Sequence, residues 1–176
     1  MIDPTVAALV EHFGMTRLPV EDTFFVSTHR SATELPDGGP VGTAMIGLYS
    51  AEPPSRSLFH RLTADETWHF YGGDPIRLVV LHPDGSSAEV VLGADVLAGQ
   101  RVQHVIPAGT WQAGELVPGG RWALFGCTMA PGFTSTCFEG GRVGTLLDSH
   151  PDRADDIARL GVPDTHPTRM PDDLAT

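Results

Sequence analysis

The pattern of apolar and polar residues predicts short β-strands along most of the chain. In the segment ETWHFY (66–71) every second residue, namely Glu66, Trp68 and Phe70, shares one face, and a period of two is typical of a strand. Gly- and Pro-rich turns separate this segment from its neighbours, and Pro83-Asp84-Gly85 predicts a tight hairpin. Strands at such regular intervals indicate an antiparallel sandwich or barrel; the others are predicted at 23–27, 41–50, 76–82, 88–92, 101–106, 112–116 and 122–129.

The two ends of the chain have a different pattern. Residues 3–14 predict a short helix with one apolar stripe, which Asp3 caps and Gly14 ends. Residues 143–147 and 153–160 predict a helical segment near the C-terminus. The stretch from residue 163 onward is rich in Pro, Asp and Thr. We therefore expect one domain over residues 1–162 and a flexible tail over residues 163–176.

The charge of the chain limits its possible partners, and its cysteine content bears on disulfide bonds. The 22 acidic and 11 basic residues give a formal charge of −11, which argues against nucleic acid or an anionic membrane as a partner. The 2 cysteines imply no disulfide framework. The sequence shows no signal-peptide pattern and no apolar run of the roughly 20 residues that a membrane span needs. We expect a cytoplasmic protein.

Residues 60–75 carry the candidate chemistry. Glu66 shares a predicted strand face with two aromatic residues, and a carboxylate buried there needs a metal, a cation or a donor as its partner. His60, six residues upstream, is the nearest candidate. The two residues would then be metal ligands or an acid/base pair. In the alternative interpretation, Glu66 anchors a turn and His60 lies at the surface.

Three motifs resemble the cupin superfamily. His60 and Glu66 have the spacing of the first and last ligands in the first cupin motif, G-x5-H-x-H-x(3,4)-E-x6-G, and the segment 107–112 is similar to part of the second. The segments DETWHFYGGDP, VIPAGTWQA and ALFGCTMAPGF resemble cupin family five, a branch of small single-domain cupins, over residues 24–160. The resemblance implies an all-β fold, the cupin double-stranded β-helix or jelly-roll barrel, with the two helical segments added. It also implies a homodimer.

The same resemblance implies a metal site that is incomplete in this chain. Leu62 stands where the first motif has its second histidine, and Gln112 and Leu116 stand where the second has histidine and asparagine. His60, Glu66 and Gln112 would hold one divalent transition metal, Zn, Fe, Ni or Mn, if any cofactor binds. Because a neutral amide oxygen is a weak donor to such metals, this would be a weak site.

A site without metal uses the same residues. His60, supported by Glu66, would act as a base, with Tyr71 or Tyr49 as the acid. Sugar-nucleotide epimerases of the cupin superfamily use histidine and tyrosine in this way. For Tyr71 the alternative is a half-exposed residue at the end of a strand.

The expected function is the processing of a small organic molecule in the mouth of the barrel. The reaction would be an isomerisation, epimerisation, cyclisation or metal-assisted step. The alternative is a non-catalytic cupin that binds a metabolite. The residues expected to bind the small-molecule ligand are aromatic or amide side chains: Tyr49, Trp68, Phe70, Trp111 and Gln112.

Overall fold

The chain begins with a helix whose limits follow from its sequence. A computed structural model describes residues 3–36, 38–172 and 174. Helix α1 spans Pro4–Phe13; the Asp3 side chain accepts a hydrogen bond from the Thr5 amide at 2.8 Å, and Gly14 ends the helix at φ 63°. Val6 is buried against Leu48. The predicted apolar stripe therefore packs on the barrel of its own chain.

Two antiparallel sheets form the barrel, as predicted. In chain order the strands are β1 (Thr16–Arg17), β2 (Phe24–Arg30), β3 (Thr43–Ser50), β4 (Ser57–Leu62), β5 (Glu66–Gly73), β6 (Ile76–Leu81), β7 (Ser87–Leu92), β8 (Gln103–Ile106), β9 (Trp111–Leu116), β10 (Trp122–Met129) and β11 (Phe138–Gly140). The first sheet has the order β1-β2-β3-β10-β5-β8, and the second has the order β11-β4-β9-β6-β7. The predicted hairpin is confirmed, because β6 pairs with β7 around the turn at 83–85.

Strand β4 was not among the predicted strands. Its burial explains the difference. Phe59 packs outward under the C-terminal helices while His60 and Leu62 face the barrel, so both faces of the strand are covered. A strand covered on both faces loses the alternation of polar and apolar residues on which the prediction depends. The short strands β1 and β11 were missed as well.

The interior between the two sheets is aromatic and aliphatic. Its largest fully buried side chains include Tyr49, Trp68 and Phe125; the Trp68 and Phe125 rings stack with centroids 4.9 Å apart. Leu78 and Ile106 complete this layer from the two sheets. Burying such side chains contributes about 1.5–3 kcal/mol each to folding.

Two helices cover the outer face of the second sheet. Helix α2 spans Val143–Ser149 and α3 spans Ala154–Leu160, which confirms both predicted helical segments. Leu146, Ile157 and Leu160 are fully buried against the sheet. Asp156 fixes α3 to β6, because its carboxylate accepts two hydrogen bonds from Arg77 at 2.7 and 2.9 Å.

The described part of the expected tail contacts the barrel. The Gly140 amide donates to the Thr168 carbonyl at 2.7 Å, and Met170 is buried beside Leu18 and Phe138. Residues 173, 175 and 176 lie outside the described residues. The flexibility of the tail stays a prediction, since it concerns motion, but the segment up to Met170 belongs to the same packed body.

Candidate functional site

A β-bulge in β4 positions His60. Ser57 pairs with Gly114 and His60 pairs with Gln112, so between these pairs two residues of β4 oppose one of β9. In a regular strand, side chains three residues apart point to opposite faces, but the extra residue lets both Ser57 and His60 face the barrel interior. The imidazole is 2% exposed and stacks on Phe138 with ring centroids 5.2 Å apart.

One ring nitrogen of His60 is hydrogen-bonded and the other can accept a proton. Nδ1 lies 2.8 Å from the Leu58 carbonyl oxygen. A carbonyl can only accept, so the neutral ring carries its proton on Nδ1. Within the described residues Nε2 has no hydrogen-bond partner, and His60 lines a cavity inside the barrel. The lone pair of Nε2 is therefore free to accept a proton.

Glu66 lies on β5 across the same cavity, held by an amide. Gln112 Nε2 donates to Glu66 Oε2 at 2.7 Å, and Trp68 Nε1 donates to Gln112 Oε1 at 2.8 Å. All three side chains are buried. The indole therefore orients the amide and the amide orients the carboxyl. The prediction that Glu66 and Trp68 share the interior face of a strand is confirmed.

Glu21 is a candidate site residue that the sequence did not predict. Its Oε2 lies 3.5 Å from His60 Nδ1, and the residue is 8% exposed. It belongs to a loop between β1 and β2, outside the motifs that carry the resemblance. In the sequence it stands in Pro-Val-Glu-Asp, which resembles an exposed acidic turn. No local signal distinguishes it.

The Glu21 loop has an unusual backbone that turns this carboxyl inward. The residues on either side, Val20 and Asp22, have φ angles of 69° and 65°. This left-handed region is rare for a β-branched residue such as Val20 and costs of order 1–3 kcal/mol. Arg17 stabilises the loop, because its guanidinium donates to the Asp22 carbonyl at 2.6 Å and to the Asp22 carboxylate at 2.9 Å. The Leu58 amide in turn donates to the Glu21 carbonyl at 3.2 Å.

A chain of buried hydroxyl groups lies beside Glu21. Tyr49 donates to Ser57 Oγ at 2.6 Å, and Ser57 Oγ lies 3.0 Å from Thr23 Oγ1. Thr23 Oγ1 donates to the Arg56 carbonyl at 2.8 Å. The predicted residue Tyr49 is therefore close to the site, but its hydroxyl is engaged with Ser57 and does not line the cavity.

The cavity combines this polar end with an apolar wall. It has a volume of about 50 Å³, enough for a few non-hydrogen atoms, since one water occupies about 30 Å³ of liquid. The cavity thus has room for the reacting end of a small molecule. None of the residues found to line it among those described is Lys or Arg. The apolar wall consists of Leu18, Phe25, Met45, Leu62, Met129 and Phe133.

Burial shifts the titratable groups of the site in opposite directions. It raises the pKa of the Glu21 carboxyl to about 8, and a hydrogen bond from Ser57 offsets part of the rise. It lowers the pKa of His60 below its ordinary value, although the charge of Glu66 and the Leu58 carbonyl oppose this. Burial also raises the pKa of Glu66. At neutral pH, Glu21 therefore keeps its proton while the adjacent imidazole is neutral, which reverses the usual order of the two groups.

The family is shown by a match over most of the chain. Residues 7–140 match the model of the Cupin_5 family, described as "Cupin superfamily (DUF985)". The chain is a cupin. The prediction of family five is confirmed, and so is the jelly-roll fold that the resemblance implied.

Solved structures agree with this assignment. The cupin is 29% identical to a protein from Shewanella oneidensis, with a TM-score of 0.81 over 89% of this chain and 97% of that one. A hypothetical protein from Leishmania major is 24% identical, with a TM-score of 0.79 over 88% and 97% of the two chains. A cupin 2 conserved barrel domain protein from Rhodopseudomonas palustris shares the fold at 12% identity, with a TM-score of 0.53 over 82% and 81%. Among curated proteins, none matches significantly.

The donor set of this cupin does not fit a metal ion. Cupins commonly bind one, but Gln112 Oε1 here already accepts from Trp68, and Gln112 Nε2 donates to Glu66. Leu62 replaces a further ligand of the motif. Within residues 3–36, 38–172 and 174, no group of three or more His, Cys, Asp or Glu side chains could hold a metal. In this structure Glu66 and Gln112 are therefore hydrogen-bonded to each other, while His60 bonds to the Leu58 carbonyl instead.

Of the predicted site residues, His60 and Glu66 line the cavity, whereas the described lining does not include Tyr49, Trp68, Phe70, Tyr71, Trp111 or Gln112. Tyr71 is 54% exposed on the outer face of the first sheet, where its ring stacks on His69. Trp111 lies on the outer face of the second sheet, beneath the Arg61 guanidinium at 4.5 Å. Phe70 packs against the barrel core without lining the cavity. The structure thus brings His60, Glu66 and Gln112 together but separates them from Tyr71 and Trp111.

No helix in the described part of this cupin is long and apolar enough to cross a membrane.

Proposed function

We propose that this cupin catalyses proton transfer on a small organic molecule, as an isomerase or epimerase does. The observation that carries the proposal is the pair of Glu21 and His60, 3.5 Å apart. Burial holds the proton on the carboxyl and leaves the imidazole neutral. A pair of groups whose pKa values are pushed apart by their surroundings supports acid and base roles.

Each residue has a stated role in this proposal. His60 Nε2 removes a proton from a carbon beside a carbonyl group, and the protonated Glu21 carboxyl donates to the carbonyl oxygen. Glu66 stabilises the imidazolium that forms, since its charge acts to raise the pKa of His60. The apolar wall keeps water away from the reacting atoms, which strengthens these interactions.

The test is hydrogen exchange in D2O. Small aldehydes, ketones and 2-oxo acids with an α C–H bond are incubated with the protein, and loss of the α-proton signal is followed by 1H NMR. We expect the wild type to exchange at least one of these compounds and His60→Gln to slow the exchange about 10²- to 10⁴-fold. Tyr71→Phe is the matched control, because Tyr71 lies on the outer face; a loss equal to that of His60→Gln would contradict the assignment.

The pH profile of the exchange gives an independent check. His60 must be neutral to accept a proton, so the rate falls as the pH drops through a pKa below 6.5. Glu21 must be protonated to donate, so the rate also falls as the pH rises through about 8. We expect a bell-shaped profile whose upper limb disappears in Glu21→Gln.

The second candidate is a cupin that binds a metabolite without catalysis. The fixed Trp68–Gln112–Glu66 chain favours it, because it holds the Glu66 carboxyl rigidly at the cavity, where this group can recognise a ligand without transferring a proton. Saturable binding of a compound with no exchange of its α-proton would favour this candidate. A homodimer in the cytoplasm is proposed for either function.

A further inference from the structure

A second concavity lies on the other side of the Glu21 loop. This groove, of about 420 Å³, is bounded by the loop, the start of β4 and the segment 162–167. Leu58 and Val162 form its apolar floor, and Asp22, Arg56 and His166 supply its polar groups. The internal cavity is separate, because Glu21 faces the cavity whereas Asp22 faces the groove.

Arg56 is exceptional among the arginines of the chain. Each of the other ten arginine side chains has a hydrogen-bond partner. For Arg56, no side-chain hydrogen bond or ion pair is found within the described residues, and its Nε is buried with no partner. A buried donor without a partner costs about 1–3 kcal/mol, more when it is charged. The groove therefore contains a cation whose hydrogen-bonding capacity is unused.

The other polar groups of the groove do not prevent an anion from binding beside Arg56. The Asp22 carboxylate would repel one, but Arg17 pairs with it at 2.9 Å. His166 uses Nδ1 in a contact with Thr165 at 3.2 Å, and its Nε2 has no partner in the described part of the chain. A guanidinium fork matches the two oxygens of a carboxylate or phosphate.

We propose that this groove binds a small oxyanion, the carboxylate or phosphate group of a metabolite, through Arg56. The ligand accepts hydrogen bonds from the terminal guanidinium nitrogens of Arg56, and the apolar floor of Leu58 and Val162 contacts the organic part. This site goes beyond the proposed proton transfer and does not depend on it, since neither His60 nor Glu66 lines the groove.

The test follows the Arg56 Nε–H signal in 1H–15N NMR spectra of the 15N-labelled protein. Inorganic phosphate and acetate are titrated separately against sodium chloride at matched ionic strength and constant pH. We expect the Arg56 signal to shift and saturate with a dissociation constant below about 10 mM for at least one probe. The probe that binds more tightly identifies the phosphate or the carboxylate as the preferred group. No saturation with either probe would overturn the proposal.

Two variants test whether Arg56 binds the oxyanion. In Arg56→Gln we expect the affinity, read from the Leu58 and Val162 amides, to fall about tenfold or more. Arg101→Gln, an exposed arginine outside the groove, is the matched control and should bind like the wild type. Equal binding by Arg56→Gln and the wild type would contradict the assignment. His60→Gln should leave oxyanion binding unchanged and Arg56→Gln should leave hydrogen exchange unchanged, so the two proposals can fail separately.

Discussion

At the scale of single residues, the cavity reverses the ordinary order of the pKa values of a carboxyl and an imidazole. Glu21 and His60 are both buried, and burial penalises whichever form carries a charge. The carboxyl therefore keeps its proton to about pH 8, while the pKa of the imidazole moves down. The Ser57 hydroxyl reduces the shift at Glu21 without removing it. Both groups are neutral at the same pH, a state in which one can donate and the other accept.

This inversion predicts how stability depends on pH. The folded pKa of Glu21, about 8, exceeds the ordinary glutamate value of 4.5. Between these pH values the unfolded chain loses this proton while the folded protein keeps it, so the free energy of unfolding decreases as the pH rises. The limit is about 1.4 kcal/mol per pH unit. Glu21→Gln cannot ionise, and we expect the difference between urea midpoints at pH 5 and pH 8 to shrink.

The control for this measurement is Glu11→Gln. Glu11 is an exposed residue of helix α1. We expect this variant to keep the pH dependence of the wild type. An identical pH dependence in Glu21→Gln would show that Glu21 ionises normally in the folded protein, and would remove it as the proposed acid.

At the scale of elements, the site depends on how closely β9 approaches β3. A Cβ atom added to Gly114 would overlap the Tyr49 hydroxyl and lie 3.0 Å from Tyr49 Cε2. We expect Gly114→Ala to displace Tyr49 from Ser57 and to lower the free energy of unfolding by about 1–3 kcal/mol. Gly144→Ala is the matched control within α2, where a Cβ meets nothing within 4 Å. It should instead stabilise by about 0.5–1 kcal/mol, so the same sign in both variants would contradict this prediction.

Asp156 is the central carboxylate in the ion pairs between helix α3 and the sheet. Asp156 accepts from Arg77 on β6 and from Arg159, at 2.7 and 2.8 Å, and these arginines also hold Glu115. Removing a well-buried partner from such a network leaves uncompensated charge, which costs about 3–5 kcal/mol when burial is complete and less here. We expect Asp156→Ala to lower the free energy of unfolding by about 2 kcal/mol or more.

The comparison for Asp156 is an acidic neighbour in the same helical turn. Asp155 is exposed, and its substitution by Ala should change stability by less than about 0.5 kcal/mol. Urea denaturation measures both variants. An equal effect of the two substitutions would show that the ion pairs of Asp156 do not hold the helix.

At the scale of the whole molecule, an exposed sheet edge is where we expect the predicted homodimer to form. Strand β8 is terminal in the first sheet, and the apolar residues Val105 and Tyr71 on it and its neighbour are 45% and 54% exposed. Exposed apolar residues at a strand edge favour association. We expect light scattering at micromolar concentration to give twice the mass of the chain. Val105→Glu should yield monomers and Val41→Glu, at a comparably exposed valine, should not.

A monomer of the wild type at that concentration would contradict the predicted homodimer. A dimer in both variants would place the interface elsewhere, for example at the N-terminal helix.

The sequence predicted those parts of the structure that depend on local pattern. The alternation around Glu66 and Trp68 sets the inward face of β5, and the motif spacing brings His60 to the same cavity. Trp111 and Gln112 are adjacent in strand β9, so they must face opposite sides. Once β9 is known to begin at Trp111, strand geometry therefore shows that the two side chains cannot line the same cavity.

The remainder depends on contacts between distant segments. Glu21 reaches His60 because two non-glycine residues adopt positive φ and because Arg17 holds the loop. Neither the positive φ angles nor the Arg17 contacts can be recognised from the neighbouring sequence. Ser57 likewise faces the interior because of a one-residue mismatch between β4 and β9. The alternation of polar and apolar residues therefore predicts regular strands, but it does not predict the bulge and the loop conformation that bring Ser57 and Glu21 to the site.

The position of Glu21 on a loop, outside the barrel strands, has an evolutionary consequence. In the proposed mechanism, the base, its supporting carboxyl and the amide that orients this carboxyl belong to barrel strands, whereas the proton donor belongs to a loop. If the mechanism holds, changes confined to this loop would abolish turnover and leave recognition intact. We therefore expect the residue at position 21 to separate catalytic from purely binding relatives.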